Sequence, residues 1–414
     1  MTVHAPTELA PPVLDTAAAI ASARRAVLAD RYAADSFIVE WLDLPQLDAI
    51  VDDWRDLASR ALVANAFYEP AFALAAAHTF GRGAGAVLVW SGSMPRKLLG
   101  LFPARIAKRR YGFKLPVLVG WTHPYAPLGT PLVEREAAEP VIAAWLAHIA
   151  GNPAFPGLVL LPFAPQHGAF AAALSAILRR AQMPIAELNQ HSRAAFAPEG
   201  NRSGYVERAL GRHKFRELGR TVRRLNEAGT LSYTTATDPA AVAAGLGDFL
   251  ALEASGWKGK AGTAAACDEM LTDFVMAAVA ALADERKVEI DRLALDGVTI
   301  AAGITLRSGD AAWFWKIAYD EALSRFSPGV LLIALATERL AESDMVAHAD
   351  SCATADHVVI NRTWTERLAL CDLLIGVRPR ARFARAEQLE RMRNQAIAAA
   401  KRLRRFVRRA PPRR

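Results

Sequence analysis

The order in which periodic segments follow one another is what most restricts the fold of this chain. Strand-like alternation at 37–42 is followed by helical spacing at about 46–60 and 69–80. Strand-like runs come next at 85–91, 97–107 and 115–121, then a helix at 136–150, a strand at 158–161, a helix at 167–181 and a strand near 186–197. Past residue 230 the order returns: strand 231–236, helices 239–254 and 267–284, strands 287–295, 297–307 and 311–319, helix 329–342, strand 345–350, helix 360–369 and strand 371–378. Both halves read β-α-α-β-β-β-α-β-α-β. A three-strand meander followed by a helical crossover into a further strand predicts a mixed α/β sheet in each half. The expected organisation is a peripheral segment 1–35, a first domain 36–197, a basic helical connector 198–230, a second domain 231–382 and a basic amphipathic helix and tail 383–414.

One strand-to-helix passage stands out within this order. Trp313 to Tyr319 is aromatic and strand-like, Ser327-Pro328-Gly329 punctuates the chain, and a buried helix is expected from Val330. Ser327 suits an N-cap and Pro328 a first helical position, where its missing N–H costs nothing. Free N–H groups and the helix dipole make such a passage an anion site, with Arg325 a nearby cation.

Composition narrows the class. Hydrophobic residues at 52% and charged residues at 22% are those of a globular protein. No apolar run approaches the roughly 20 residues of a membrane span, and no secretory signal is read at the start. Three cysteines give neither a disulfide framework nor a metal-binding spacing, so no metal is expected and a cytoplasmic location is. The net charge of +8 is concentrated: residues 378–414 carry 14 Lys/Arg against two Asp/Glu, leaving the rest near −4. That distribution argues against general nucleic-acid binding by the body.

Several stretches carry a resemblance. They are Phe249-Leu-Ala-Leu-Glu-Ala-Ser-Gly-Trp-Lys-Gly-Lys-Ala-Gly-Thr263, the segment Trp315…Tyr319-Asp320-Glu321…Phe326-Ser-Pro-Gly329, Trp364-Thr-Glu-Arg367, and Pro124-Tyr-Ala-Pro-Leu-Gly-Thr-Pro-Leu-Val133. In these the chain resembles GNAT-fold acetyltransferases of the BioF2-like or CelD-like family, relatives of the double-GNAT Fem peptidyltransferases. The resemblance implies two tandem GNAT-like domains. It also implies transfer of an acyl group, acetyl from acetyl-CoA, to an amine on an amino sugar or on a polysaccharide or envelope precursor. An aminoacyl-tRNA-dependent Fem-like transferase and a non-catalytic GNAT-like binding module are the alternatives.

On that resemblance the second domain holds the site, since Glu134–Pro140 stands where Ser-Pro-Gly would in the first. Arg325, Ser327, Pro328, Gly329 and Val330 would hold the CoA pyrophosphate, although only one glycine is present where relatives have several. Asp350, His357 and Tyr319 are the candidates for proton transfer, with Tyr319 placed to protonate the departing thiolate. Trp257, Lys258, Trp315, Lys316 and Asp320 would contact the acceptor. Alternatively Gly256 caps a helix with Trp257 packed beneath it, and Tyr319 serves strand packing alone. A buried Lys316 needs an anionic partner such as Asp350, or its pKa falls. Cys352, five residues from His357, is a rival nucleophile. The basic face of 206–228 is a solvated surface, or an RNA contact under the tRNA alternative. The amphipathic stripe of 384–409 suits an anionic membrane surface, which would make the protein peripheral at the inner membrane, or else it docks on the body.

Overall fold

The computed structural model describes residues 37–378 and 380–409; the 1–35 segment, with its expected helix, lies outside them. Strands β1 (Phe37–Asp43), β2 (Ala84–Ser91), β3 (Leu98–Ala107), β4 (Val117–Gly120), β5 (Leu132–Val133), β6 (Leu158–Pro165) and β7 (Ile185–Phe196) form the first half. Helices α1 (Val51–Ser59), α2 (Pro70–Phe80), α3 (Ala138–Gly151) and α4 (Ala169–Arg180) accompany them. The connector is α5 (Tyr205–Ala228), kinked at Gly211, whose φ of 75° places it in the left-handed region that glycine tolerates. The second half contains β8 (Leu231–Ala236), α6 (Pro239–Ser255), α7 (Trp257–Lys260), α8 (Glu269–Asp284), β9 (Val288–Leu295), β10 (Val298–Ser308) and β11 (Ala311–Tyr319). It ends with α9 (Pro328–Glu342), β12 (His348–Asp350), α10 (Ile360–Thr363), β13 (Glu366–Gly376) and α11 (Arg380–Arg409).

All the strands belong to one sheet of order β1-β2-β3-β4-β6-β13-β7-β12-β11-β10-β9-β8, with β5 paired separately to β3. Read from either end, the order shows the same scheme: a four-strand antiparallel run, then a parallel neighbour. The parallel pairs are β4 with β6 and β11 with β12. At the centre the halves exchange strands. β13, from the second half, lies between β6 and β7, and β7, from the first half, lies between β13 and β12. The mixed α/β architecture expected from the element order is present, with the two sheets fused into one.

The helix expected over 360–369 shrinks to Ile360–Thr363, and the strand begins at Glu366 rather than 371. Trp364 ends the helix by burying its indole, whose Nε1–H donates to Thr337 Oγ1 at 2.8 Å. The backbone beyond it is claimed by β7 and β6 on either side, and ladder pairing outweighs the helical spacing of the leucines.

A shared aromatic core also joins the halves. Phe72 and Phe80 of α2 meet Phe274 of α8 edge-on, with centroids 5.6 and 5.4 Å apart. His123 stacks on Phe80 at 4.1 Å. Among the described residues neither ring nitrogen of His123 has a partner, and burial drives its pKa down to about 3, so it packs as a neutral ring.

His123 lies on an excursion from the fourth strand of the first half. β4 leaves β3 at Gly120, and pairing with β3 resumes only at Leu132. The intervening loop is held by buried Asn65, whose Nδ2–H donates to the Leu128 and Thr130 carbonyls. It crosses β6 closely: a Cβ on Gly129 would lie 2.1 Å from the Pro162 carbonyl oxygen. Where β4 and β6 diverge, the chain itself occupies the gap. The corresponding gap in the second half is open.

Candidate active site

β12 pairs with β11 only between His348–Asp350 and Ala311–Trp313. Beyond Trp313 the two strands part, and a cavity of about 500 Å³ opens between them. From Phe314 to Tyr319, β11 is paired to β10 along one edge and presents its other edge to this space. Phe314, Ile333 and Ile360 wall it on the α9 face of the sheet; Trp257, Lys258 and Trp315 line it on the α6 face. A gap that spans the sheet allows two substrates to meet from opposite sides.

A β-bulge aims the central side chain. Phe314 pairs with Thr305 and Lys316 with Ile304, so Trp315 is the extra residue. Strict alternation would send Trp315 and Lys316 to opposite faces; here both turn toward Tyr125 of the excursion loop. Lys316 Nζ lies 3.9 Å from the centroid of the Tyr125 ring and 5.4 Å from that of Trp315. Trp315 Nε1–H donates to the Tyr125 carbonyl at 2.8 Å. Among the described residues Lys316 forms no ion pair. Its pKa falls to about 8, first through burial and further through the Lys258 charge, with the Glu253 carboxylate opposing the drop.

Lys258 is held by Glu253, which is buried and accepts from Nζ at 2.7 Å and from the Ala265 N–H at 2.9 Å. Burial works against the Glu253 charge, but these donors outweigh it and hold the carboxyl below its ordinary pKa. Gly256 ends α6, as a C-cap reading has it, yet Trp257 is not packed beneath: it is 60% exposed at the cavity. Glu321 fixes this corner by accepting the Trp257 N–H at 2.6 Å and Lys260 Nζ at 3.2 Å.

At the start of α9, Pro328 occupies the first turn and Ser327 is the N-cap, but in the left-handed conformation (φ 49°), and its side chain makes no cap bond. The Val330 and Leu331 N–H groups both donate to the Ser327 carbonyl. Gly329 supplies the remaining free donor of that turn. Its missing side chain is required, because a Cβ would meet Tyr319 Cδ1 at 2.8 Å. The Tyr319 ring therefore lies over the helix terminus beside the cavity, 38% exposed and with its hydroxyl unpartnered among the described residues.

Trp257, Lys258, Trp315, Lys316, Tyr319, Ser327, Gly329, Val330 and His357 are thus brought to one cavity. Four other candidates are not in its lining. Asp350 is buried in an ion pair with Arg193 of β7 at 2.5 Å and accepts the Cys352 N–H at 3.0 Å. Asp320 caps the 3-10 turn Glu321–Phe326 by accepting the Ala322 N–H at 2.8 Å. Arg325 is exposed and stacks on Phe326, and Pro328 is buried under the helix start. His357 does line the cavity, but its Nδ1 accepts the Ile360 N–H at 3.4 Å, which leaves Nε2 carrying the proton. Burial lowers its pKa, so the ring is neutral at pH 7. Cys352 also faces the cavity; burial, and then the Asp350 charge, push its thiol well above its usual pKa, so it does not supply a thiolate.

Residues 212–357 match the acetyltransferase (GNAT) domain model. This part of the chain carries a GNAT-type acetyltransferase domain. The matched segment runs from the basic connector to His357 and includes the cavity lining from Trp257 to His357, though not Val359 and Ile360. Solved structures extend the fold likeness over both halves. FemX aligns at 8% identity over 82% of this chain and 98% of its own, with a TM-score of 0.53. The C-terminal (DUF2156) domain of a lysylphosphatidylglycerol synthetase from Agrobacterium fabrum aligns at 10% identity over 83% and 95%, with a TM-score of 0.51. At such identities the likeness is one of fold. A search of curated proteins finds no match.

Tyr125 and Glu253 belong to this site and were not assigned from the sequence. The available signal for Tyr125 was an aromatic residue in a proline-rich stretch that interrupts a strand.

Proposed function

We propose that the protein transfers an acyl group, acetyl in the first instance, from a CoA thioester to an amine. The observation that carries this reading is the unpaired edge of β11 from Phe314 to Tyr319, opening onto a cavity that spans the sheet. A pantetheine arm has amides at near-peptide spacing and can add to such an edge as a short strand. The amine enters from the Trp257 side, where an exposed indole offers a face to a sugar ring; an amino sugar or a polysaccharide precursor is the acceptor that fits. The amine nitrogen attacks the thioester carbonyl, and the Lys316 ammonium lies where the developing oxyanion needs positive charge. As the C–S bond breaks, Lys316 gives its proton to sulfur; the proton lost by the amine returns to Lys316 through solvent.

A second reading is favoured by a specific weakness. The α9 terminus offers one free N–H to a pyrophosphate, and the exposed cations of α5, among them Arg216, Arg220 and Arg223, suit an RNA-linked donor. Together with the FemX-like fold this supports aminoacyl transfer from tRNA. Calorimetric titration with acetyl-CoA, followed by thiol release in the presence of amino sugars, separates the two. Micromolar binding and acceptor-dependent thiol release support the CoA donor. Absence of acetyl-CoA binding at millimolar concentration, with RNase-sensitive aminoacyl transfer, overturns it.

Gly329→Ala offers a sharper check on donor placement. The added methyl must displace the Tyr319 ring, and acetyl-CoA affinity is expected to fall about tenfold with about 1 kcal/mol of stability lost. Unchanged affinity would place the donor elsewhere.

A further inference from the structure

The connection between β3 and β4 reads Lys108-Arg-Arg-Tyr-Gly-Phe-Lys114 and is exposed except at Arg110. Arg110 and Tyr111 fasten it to α11. Arg110 Nε–H donates to Glu390 Oε1 at 2.8 Å, the Tyr111 hydroxyl donates to Glu390 Oε2 at 2.7 Å, and the Arg393 guanidinium lies 5.0 Å from the Tyr111 ring centroid. The loop and the helix therefore form one continuous surface.

The helix is only partly docked. Phe383 and Ala386 are buried, and Leu389 packs beside them, against Leu115 and, on the sheet, Val117 and Leu374. The same stripe continues at 3/4 spacing through Met392, Ala396 and Ala399, now exposed. Met392 is 57% exposed and Phe113, on the loop, 58%. Around these apolar groups stand the exposed cations Lys108, Arg109, Lys114, Arg385, Arg391 and Arg393. The sequence adds eight Lys/Arg in residues 401–414. Glu387 and Glu390 are already committed to Arg391 and Arg110.

An aromatic residue and a thioether among exposed cations match a surface that is anionic outside and apolar just beneath. We propose that the 108–114 loop and α11 together form a docking surface for an anionic lipid bilayer. Phe113 and Met392 enter the acyl boundary while the cations contact the headgroups. No helix among the described residues is long and apolar enough to cross a membrane, so the association is one of lying on the surface. An RNA would satisfy the cations and leave the apolar groups without a partner. The proposal is independent of the donor and acceptor.

The test is sedimentation of the full chain with phosphatidylcholine vesicles, with and without 30 mol% phosphatidylglycerol (roughly the anionic share that sets up a surface potential). Binding is expected to the anionic vesicles only. The triple variant Lys108→Gln, Arg109→Gln, Lys114→Gln is expected to lose about a hundredfold in partition, at roughly fivefold per cation. Phe113→Ser is expected to lose about tenfold with no change in melting temperature, because its ring is exposed in the free protein. Equal binding to neutral vesicles overturns the proposal, as does no vesicle binding. So does a Phe113→Ser variant that binds like the wild type, since charge alone, the property an RNA would read, would then account for the contact.

Discussion

Replacing Lys316 by methionine is expected to lower kcat/KM by about two to three orders of magnitude, the range seen when an oxyanion-stabilising group is lost. The fold should gain from the same change. Lys316 is taken from a pKa near 10.5 in the unfolded chain to about 8 in the site, so the unfolded state binds more protons between those values. Stability contributed by this residue therefore rises with pH across that window, and below it the buried ammonium is a net cost. Methionine removes the cost, and about 1–2 kcal/mol of added stability at pH 7 is expected by thermal or urea unfolding. The catalytic form is the ammonium, so kcat/KM should be full below the pKa and decline as pH rises through about 8. In Lys316→Arg that alkaline limb should vanish, because a guanidinium does not titrate there. A Lys316→Met variant that keeps its turnover, or an alkaline limb that survives in Lys316→Arg, would remove Lys316 from the chemistry.

Asp350→Ala is expected to cost about 3–5 kcal/mol of stability, because it strands a buried guanidinium between β7 and β12. Burial works against the Arg193 charge, and the carboxylate more than offsets it. Replacing both partners, Arg193→Met with Asp350→Leu, should recover most of that loss, since two apolar groups leave nothing unpaired. Urea unfolding of the two single variants and the double variant gives the coupling directly. Turnover per folded molecule separates structure from catalysis. A turnover loss within tenfold alongside the lost stability marks Asp350 as a strut of the sheet junction; a hundredfold loss with unchanged melting makes it the general base.

Much of this architecture could be read from periodicity, and the residues that escaped did so for physical reasons. The strand-turn-helix passage from Trp313 to Gly329 was legible because aromatic alternation, Ser-Pro-Gly and an apolar helix each point to one local conformation. The partners of β13 were not. Its run from Leu368 to Ile375 is apolar at every position but Asp372, and nothing in such a run specifies which neighbours it takes. Lys316 was placed on the correct strand, but alternation says the wrong face; the bulge at Trp315 is a pairing event invisible in the residue types. Asp350 sits at a strand end, where sites in α/β sheets gather, and its partner Arg193 lies 157 residues away. Tyr125 was hidden for a similar reason: it belongs to the first half and acts on the second.

The mutual insertion of β7 and β13 has a consequence for how the protein must come into being. During synthesis the first half emerges with a slot between β6 and β7 that its own residues do not fill, and the strand that fills it ends at Gly376. Until then two open strand edges wait beside each other, the arrangement most inviting to a neighbouring nascent chain.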